Sequence, residues 1–274
     1  MKFIYFLWFL CLGVYADCQT ANTAIGRVTY EFVHKTNLQT GYLHKEQMVL
    51  EYGNNISKYY SLTAKLQDSM MQQKFENAMR NGSTNIDLGM VVAANKETIF
   101  FNRITKQLQL VENYRNTYYL ITDKGTLPKW EIQKNTKKID AYDCQSAITN
   151  FRGRTYTAWF TTQIPLSFGP WKLNGLPGLI LEAYDANKEV QFNFRWLVQA
   201  NNLGNIQLPA NAIVTTEKDF DKMKLAYEQG AQNNSVAMSG MQIQISNVQL
   251  NGRKLNDTTF MQQNGNPIEL KKNN

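Results

Sequence analysis

Residues 179–198 read LILEAYDANKEVQFNFRWLV, and the spacing of the apolar residues in this stretch indicates the fold class. Apolar side chains occupy every second position from Val190 to Val198, and most of the residues between them are polar. A period of two is typical of a β-strand with one buried face. Residues 185–188 are typical of a tight turn, so the stretch predicts two antiparallel strands. A long amphipathic sheet must cover its apolar face with a helix, a second sheet or a ligand.

The same alternation recurs through most of the chain. Further strands are predicted over residues 27–33, 47–52, 56–61, 97–102, 107–111, 117–122, 147–151, 155–162 and 241–246. Strands at such short and regular intervals favour antiparallel meanders. The predicted fold is therefore mainly β (α+β), with a large curved antiparallel sheet or half-barrel.

About two helices are predicted to cover this sheet. The first spans residues 63–80, where Leu66, Met71 and Phe75 recur at helical intervals with two further methionines; this stripe is interpreted as core packing rather than a pliable binding face. The second begins after Thr216 and ends near Gly230. Because no linker composition interrupts the pattern, residues 17–274 are predicted to form a single domain.

The first sixteen residues have the pattern of a signal peptide. Lys2 precedes an apolar run over residues 3–14, and cleavage is expected after Ala16. About twelve apolar residues are too few for a spanning helix, which needs about 20. Acylation at Cys18 is disfavoured because Asp17 precedes it. The mature chain is therefore expected to lack a transmembrane segment and to be periplasmic, associated with the outer membrane, or secreted.

Cysteine usage leaves the redox state open. Cys11 lies in the predicted signal peptide, so Cys18 and Cys144 are the remaining intramolecular pair. An oxidising compartment permits this disulfide. Two unpaired thiols remain an equal alternative, because sequence separation does not determine whether the Cα atoms come close enough.

Charge and motif searches exclude several function classes. The net charge is +7 among 274 residues, but the basic residues are spread along the chain, which disfavours nucleic acid as a partner. No nucleotide-binding motif is found in the glycine-rich segment at residues 174–178. No cofactor is predicted.

The search for catalytic or metal-binding residues predicts none. A metal site built from His34, His44 and Glu46 is weaker than the interpretation of two solvated histidines on a hairpin. Cys144 is interpreted as a buried or paired cysteine rather than a nucleophile. The carboxyls of Asp140 and Asp143 are expected on opposite faces of a strand.

The central third of the chain resembles a known family. The motifs that carry the resemblance, all between residues 129 and 185, are KWEI at 129–132, IDAYDC at 139–144, FRGR at 151–154, AWF at 158–160, IP at 164–165, GPW at 169–171 and GLPGLI at 175–180. This arrangement resembles the GLPGLI family, which consists of exported proteins of Gram-negative bacteria. The resemblance implies an exported β-rich protein and no established reaction.

The hexapeptide also has a physical interpretation. Gly175 and Gly178 can adopt positive φ, and Pro177 with Gly178 suits the centre of a type II turn. Leu176, Leu179 and Ile180 would then pack beneath the turn. A structural corner at the entrance to a core strand is favoured over a binding loop.

The predicted binding cluster combines cationic and aromatic residues: Arg152, Arg154, Tyr156, Trp159 and Trp171. Such residues are typical of binding hot spots. The alternative is a pair of solvated arginines above a core of aromatic rings. We therefore expect a non-catalytic cell-envelope protein that binds an apolar or peptide-like ligand, or an outer-membrane partner, on its curved sheet. The alternative function is a secreted or periplasmic hydrolase with an unsignalled active site.

Overall fold

The computed structural model describes residues 22–83, 94–200, 203–233, 249–250, 253–254 and 266–270. The predicted signal peptide at 1–16, Cys18 and the predicted strand at 241–246 lie outside the described residues. Export and that strand therefore stay predictions, and the disulfide and the two unpaired thiols stay equal alternatives for Cys18 and Cys144.

The described chain is dominated by strands. They are β1 Gly26–Lys35, β2 Leu43–Tyr52, β3 Ile56–Ser61, β4 Glu97–Asn102, β5 Gln107–Tyr114, β6 Thr117–Asp123, β7 Glu131–Ile139, β8 Tyr142–Phe151, β9 Arg154–Thr161, β10 Leu179–Asp185, β11 Val190–Gln199, β12 Ile213–Thr215, β13 Gln249–Leu250 and β14 Arg253–Lys254. The helices are α1 Leu62–Arg80 and α2 Glu217–Asn233. The mainly β fold with two helices is confirmed.

Twelve of these strands form a single open sheet. Its order is β12-β6-β5-β4-β3-β2-β1-β11-β10-β9-β8-β7, and every neighbouring pair is antiparallel except β12 with β6. Most neighbours also follow one another in the chain, as expected for antiparallel meanders. The predicted hairpin at residues 179–198 is β10 and β11, and β11 then joins the two halves of the sheet by pairing with β1.

The sheet curves until its two flanks meet. Asp123 ends β6, the second strand in the order, and Arg152 lies in the turn between β8 and β9 near the other edge. Their side chains are nevertheless only 2.6 Å apart, Asp123 Oδ1 to Arg152 Nη2. The sheet therefore has a concave inner face, lined by the main hydrophobic core, and a convex outer face.

The inner face is filled by the segment between β9 and β10, residues 162–178. The Phe168 ring lies 6.3 Å from that of Tyr52 and 6.2 Å from that of Phe101, centroid to centroid, so the segment reaches strands across the sheet. Trp171 lies 6.4 Å from Phe192 in a stacked arrangement. Phe168 and Leu173 are completely buried. The chain itself thus occupies the place where a half-barrel would hold an apolar ligand.

The two helices cover different faces. Phe220 of α2 packs 5.0 Å from the ring of Tyr119, at the rim of the inner face. Helix α1 begins at the predicted position, with Ser61 Oγ accepting from Ala64 N. Its only buried residue is Ala78, whereas Leu66 is 60% exposed. The interpretation of the α1 stripe as core packing is therefore wrong. The main core lies on the inner face and is filled by residues 162–178, whereas α1 covers the outer face.

Candidate functional site

Arg154, predicted to bind a ligand at a hairpin tip, lies buried at the start of β9. Its side chain is 3% exposed, and Nη1 donates to Asp185 Oδ2 at 2.8 Å and to Glu189 Oε2 at 2.7 Å. Burial would lower the pKa of the guanidinium, but the hydrogen bonds to the two carboxylates outweigh it and raise the pKa. The alternative of solvated arginines is therefore wrong for Arg154.

The same guanidinium holds the segment at residues 266–270 against the sheet. Arg154 Nε donates to Ile268 O at 3.0 Å, and Nη2 donates to Pro267 O at 2.7 Å and to Asn266 Oδ1 at 2.5 Å. Leu270 N donates to Arg152 O at 2.9 Å. A Cβ at Gly153 would lie 2.6 Å from Leu270 O, so only glycine permits this approach.

The three aromatic residues of the predicted cluster lie on two faces of the sheet. Tyr156 and Trp171 are buried on the inner face, with ring centroids 6.1 Å apart. Trp159 belongs to the opposite face, where Lys137 Nζ lies 4.5 Å from its ring centroid. The structure therefore does not bring the predicted binding residues into one accessible surface. Ligand contact by any of them stays a prediction.

The hexapeptide at residues 175–180 forms a corner before β10. Gly175 has φ +101°, the left-handed geometry expected there, but Gly178 does not have positive φ. A Cβ at Gly178 would lie 2.0 Å from Thr161 O, so close approach to the neighbouring strand, rather than turn geometry, requires this glycine. The side chains of Leu176, Leu179 and Ile180 are buried.

An ion-pair ring joins the two flanks of the curved sheet. It consists of Asp123, Arg152, Glu269 and Lys172. Lys172 Nζ lies 3.0 Å from Asp123 Oδ2 and 2.5 Å from Glu269 Oε1. Burial would lower the pKa of Lys172, but the surrounding carboxylates, with Glu97 the strongest, outweigh it and raise the pKa. The ring thus connects four separate chain segments above the inner face.

Beside this ring lies a cavity of about 280 Å³, here called the acidic pocket. Its lining residues are Asn95, Lys96, Glu97, Glu112, Trp171, Ile268 and Glu269. Glu97 and Glu112 are direct partners in the β4–β5 ladder, so their side chains lie on the same face of the sheet. Of the predicted binding residues, Trp171 contributes to this wall and Arg152 holds Glu269 at 3.2 Å.

The pKa values of the two facing carboxyls, Glu97 and Glu112, are both raised. Burial raises the pKa of Glu97 to about 7, and Lys172 counteracts it while Glu112 and other carboxylates add to it. Burial also raises the pKa of Glu112, although Lys224 Nζ at 3.8 Å opposes the shift. The Glu97 carboxyl makes no hydrogen bond or ion pair with any described residue. A carboxyl that titrates near neutral pH in a pocket is typical of functional sites.

Sequence reasoning missed both glutamates. The alternation of β4 could place Glu97 on the same face as Ile99 and Phe101, which the core contains. No local pattern, however, indicates that Glu112 is its neighbour or that the chain returns at Trp171 and Glu269 to close the pocket. These contacts depend on strand register and on curvature.

Other candidate residues have structural surroundings. Cys144 is buried, which raises the pKa of its thiol to about 11 and disfavours a thiolate nucleophile. His34 Nε2 lies 2.6 Å from Asn266 O in a buried position, so the interpretation of a solvated histidine is wrong for His34. Across residues 22–83, 94–200 and the other described ranges, no group of three or more His, Cys, Asp or Glu could hold a metal ion.

A family model described as "Protein of unknown function (Porph_ging)" matches residues 149–182. The match runs from the end of β8 to β10, includes the hairpin tip and the hexapeptide, and carries no functional description. The GLPGLI family itself stays a prediction from the motifs. No curated protein matches the chain by sequence.

Two solved structures of PNGF-II are similar to the chain. The one in the P21 space group has a TM-score of 0.51 at 15% sequence identity, and covers 72% of this chain and 32% of its own. The one in the C2 space group has a TM-score of 0.49 at 14% identity with the same coverage. The chain thus spans about a third of the length of these proteins. At 15% identity, the similarity to the structure in the P21 space group shows a similar fold and nothing more.

None of the helices in the described part of the chain is long and apolar enough to cross a membrane.

Proposed function

We propose that this protein is exported to the cell envelope and binds a peptide-like ligand there without catalysing a reaction. The observation that carries the proposal is the Glu97 carboxyl, which faces Glu112 in the acidic pocket and has no hydrogen-bond or ion-pair partner among the described residues. Pockets that place a few polar groups against an aromatic wall are typical of ligand sites.

The chemistry of the pocket favours a ligand with a cationic group. Three carboxyl-bearing residues and one lysine line it, and Glu269 is already held by Arg152 and Lys172. A lysine side chain of the ligand would place its ammonium between Glu97 and Glu112, with its apolar stem along Trp171. A volume of about 280 Å³ suits one side chain rather than a whole peptide.

Ligand binding should be coupled to a proton. Glu97, whose pKa is about 7, is mostly protonated at pH 6 and mostly ionised at pH 8. A cation binds the ionised form, so affinity should be about tenfold higher at pH 8 than at pH 6, and binding at pH 6 should release a proton.

Calorimetric titration with N-acetyl-lysine amide, N-acetyl-leucine amide and N-acetyl-glutamate amide tests the proposal. We expect saturable binding of the lysine compound only, weakened at least tenfold in Glu112→Gln and unchanged in Glu131→Gln, an exposed glutamate on β7. Equal affinity for all three compounds, or no loss in Glu112→Gln, would contradict it.

The proposed export has its own test. The mature protein recovered from the envelope fraction of its bacterial source should begin at Asp17, as read by N-terminal sequencing. Recovery of a chain that retains residues 1–16 in the cytoplasmic fraction would refute the proposed location and leave the binding site unaffected.

A second candidate function is hydrolysis, which the raised pKa of Glu97 favours. A protonated carboxyl with a pKa near 7 can donate a proton to a leaving group while a facing carboxylate accepts one from water. Turnover of chromogenic ester, peptide or glycoside substrates that disappears in Glu97→Gln would establish this function over simple binding. Saturable binding without turnover supports the first proposal.

A further inference from the structure

A second cavity, here called the outer groove, lies on the convex face between α1 and strands β3 to β6. Its volume is about 750 Å³, within the range of sites for small ligands. Tyr60, Val111 and Tyr118 belong to its floor, and Met71 and Phe75 of α1 to its roof. The groove is separated from the acidic pocket by the sheet itself, because Tyr60 and Tyr59 point to opposite faces of β3.

One end of the outer groove is cationic. Lys58 Nζ and Lys65 Nζ lie over the same ring of Tyr60, 4.9 Å and 5.2 Å from its centroid. Lys96 and Arg115 also line the groove, whereas Asp68 is the sole acidic residue among its described lining residues. Four basic groups against one acidic group create a field that attracts anions.

The two ammonium groups over Tyr60 lack counterions within the described chain. Neither Lys58 nor Lys65 forms an ion pair with a described residue. The nearest acidic influence on Lys58 is Glu51, whose Oε1 already accepts from Arg27 at 2.7 Å and from Tyr60 Oη at 2.9 Å. Burial lowers the pKa of Lys58, and the like charge of Lys65 lowers it further. An anion bound between the two lysines would relieve this repulsion.

Part of the groove is apolar, although polar side chains of α1 and of the strands also line it. Met71 and Phe75 are half-buried beside Ala78, the one buried residue of α1, and Val111 lies buried in the floor. Met71 and Phe75, two residues of the stripe that does not pack into the core, thus line a cavity instead. Methionine adapts to irregular apolar ligands because its side chain is unbranched and flexible.

We infer that the outer groove binds a single-chain anionic amphiphile, such as a fatty acid, with its carboxylate on Lys58 and Lys65 and its acyl chain along Met71 and Phe75. Charge complementarity selects an anionic head group, and the apolar side chains of Met71 and Phe75 favour a hydrocarbon tail. This inference is independent of the acidic pocket, since no lining residue except Asn95 and Lys96 at the edge belongs to both cavities.

Calorimetric titration of the full chain with monomeric dodecanoate tests the inference, with dodecyltrimethylammonium as the matched cation. We expect saturable binding of dodecanoate at one site and no binding of the cation. The double variant Lys58→Gln, Lys65→Gln should weaken dodecanoate binding at least tenfold. Lys138→Gln, which changes a highly exposed lysine on β7, should leave the affinity unchanged.

Two further measurements test the role of the acyl chain and distinguish a free amphiphile from a membrane surface as the ligand. Met71→Ala should weaken dodecanoate binding several-fold while leaving the much weaker binding of acetate unchanged, because acetate lacks the acyl chain. Phosphatidylglycerol vesicles should compete with dodecanoate for the groove only through lipid monomers that leave the vesicle. Equal binding of the ammonium amphiphile, full affinity in the double lysine variant, or binding to vesicles without binding to dodecanoate would each overturn the inference.

Discussion

The inner and outer faces of the sheet are formed by the same strands but are covered in different ways. On the inner face, residues 162–178 and 266–270 of the chain bury the apolar side chains and connect the flanks through the ion-pair ring. On the outer face, α1 buries only Ala78 and leaves a cationic groove. Alternation along a strand therefore predicts two faces but not what covers each of them.

The largest expected difference between the faces concerns their ion pairs. Arg154→Ala leaves the buried carboxylate of Asp185 without its ion-pair partner and removes three hydrogen bonds to residues 266–268, so we expect a loss of about 3–5 kcal/mol in the free energy of unfolding. Arg195→Ala is the control, since Arg195 is 47% exposed and pairs with Glu31 at 2.7 Å. Its expected loss is about 1 kcal/mol or less.

Chemical denaturation of both variants measures this difference. Equal losses in Arg154→Ala and Arg195→Ala would show that the segment at residues 266–270 adds little to the inner face. Residues 162–178 would then be the main cover of the inner face.

Removing an apolar side chain should also destabilise the inner face more than α1, by a similar or smaller margin. Leu173→Ala creates a cavity on the inner face, where Leu173 is completely buried, and should cost about 2–5 kcal/mol. Leu66→Ala on α1 changes a side chain that is 60% exposed and should change the stability by about 0.5 kcal/mol at most. Urea unfolding of the two variants measures both values; a large loss in Leu66→Ala would mean that α1 is more tightly packed than its exposure indicates.

The smallest expected effect concerns the acidic pocket and depends on pH. Because burial raises the pKa of Glu97 to about 7, the folded state binds its proton more tightly than the unfolded state does. The stabilisation from protonation is therefore complete at low pH and is lost as pH rises from the ordinary range of a glutamate to about 7. The unfolding free energy of Glu97→Gln minus that of the natural chain should therefore be about 1–3 kcal/mol larger at pH 8 than at pH 4.

Thermal unfolding between pH 4 and pH 8 checks this sign. Glu131→Gln, on an exposed strand, should follow the natural chain at every pH. A Glu97→Gln variant that lost stability at pH 8 would indicate that the ionised carboxylate is stabilised by its surroundings, which would contradict the proposed ligand site.

Local patterns were sufficient for most of the fold. The alternation of β1, β3 and β11 and the stops around both helices predicted their positions within a few residues. The stripe on α1 misled because helical spacing reports an apolar face without showing whether a core is left for it to cover. Gly178 was explained by turn geometry although Thr161 O is the reason for it, since a contact across strands leaves no mark in the local sequence.

Local preferences were enough to predict most strands, their alternating faces and the mainly β class, because backbone and side-chain preferences act over neighbouring residues. Tertiary packing is what places Glu97 opposite Glu112, joins Asp123 to Glu269 through Lys172, and buries Arg154. Apart from the pairing of Glu97 with Glu112 in one hairpin, these contacts join residues far apart in the chain. Register and curvature bring them together, and both arise from packing over the whole sheet.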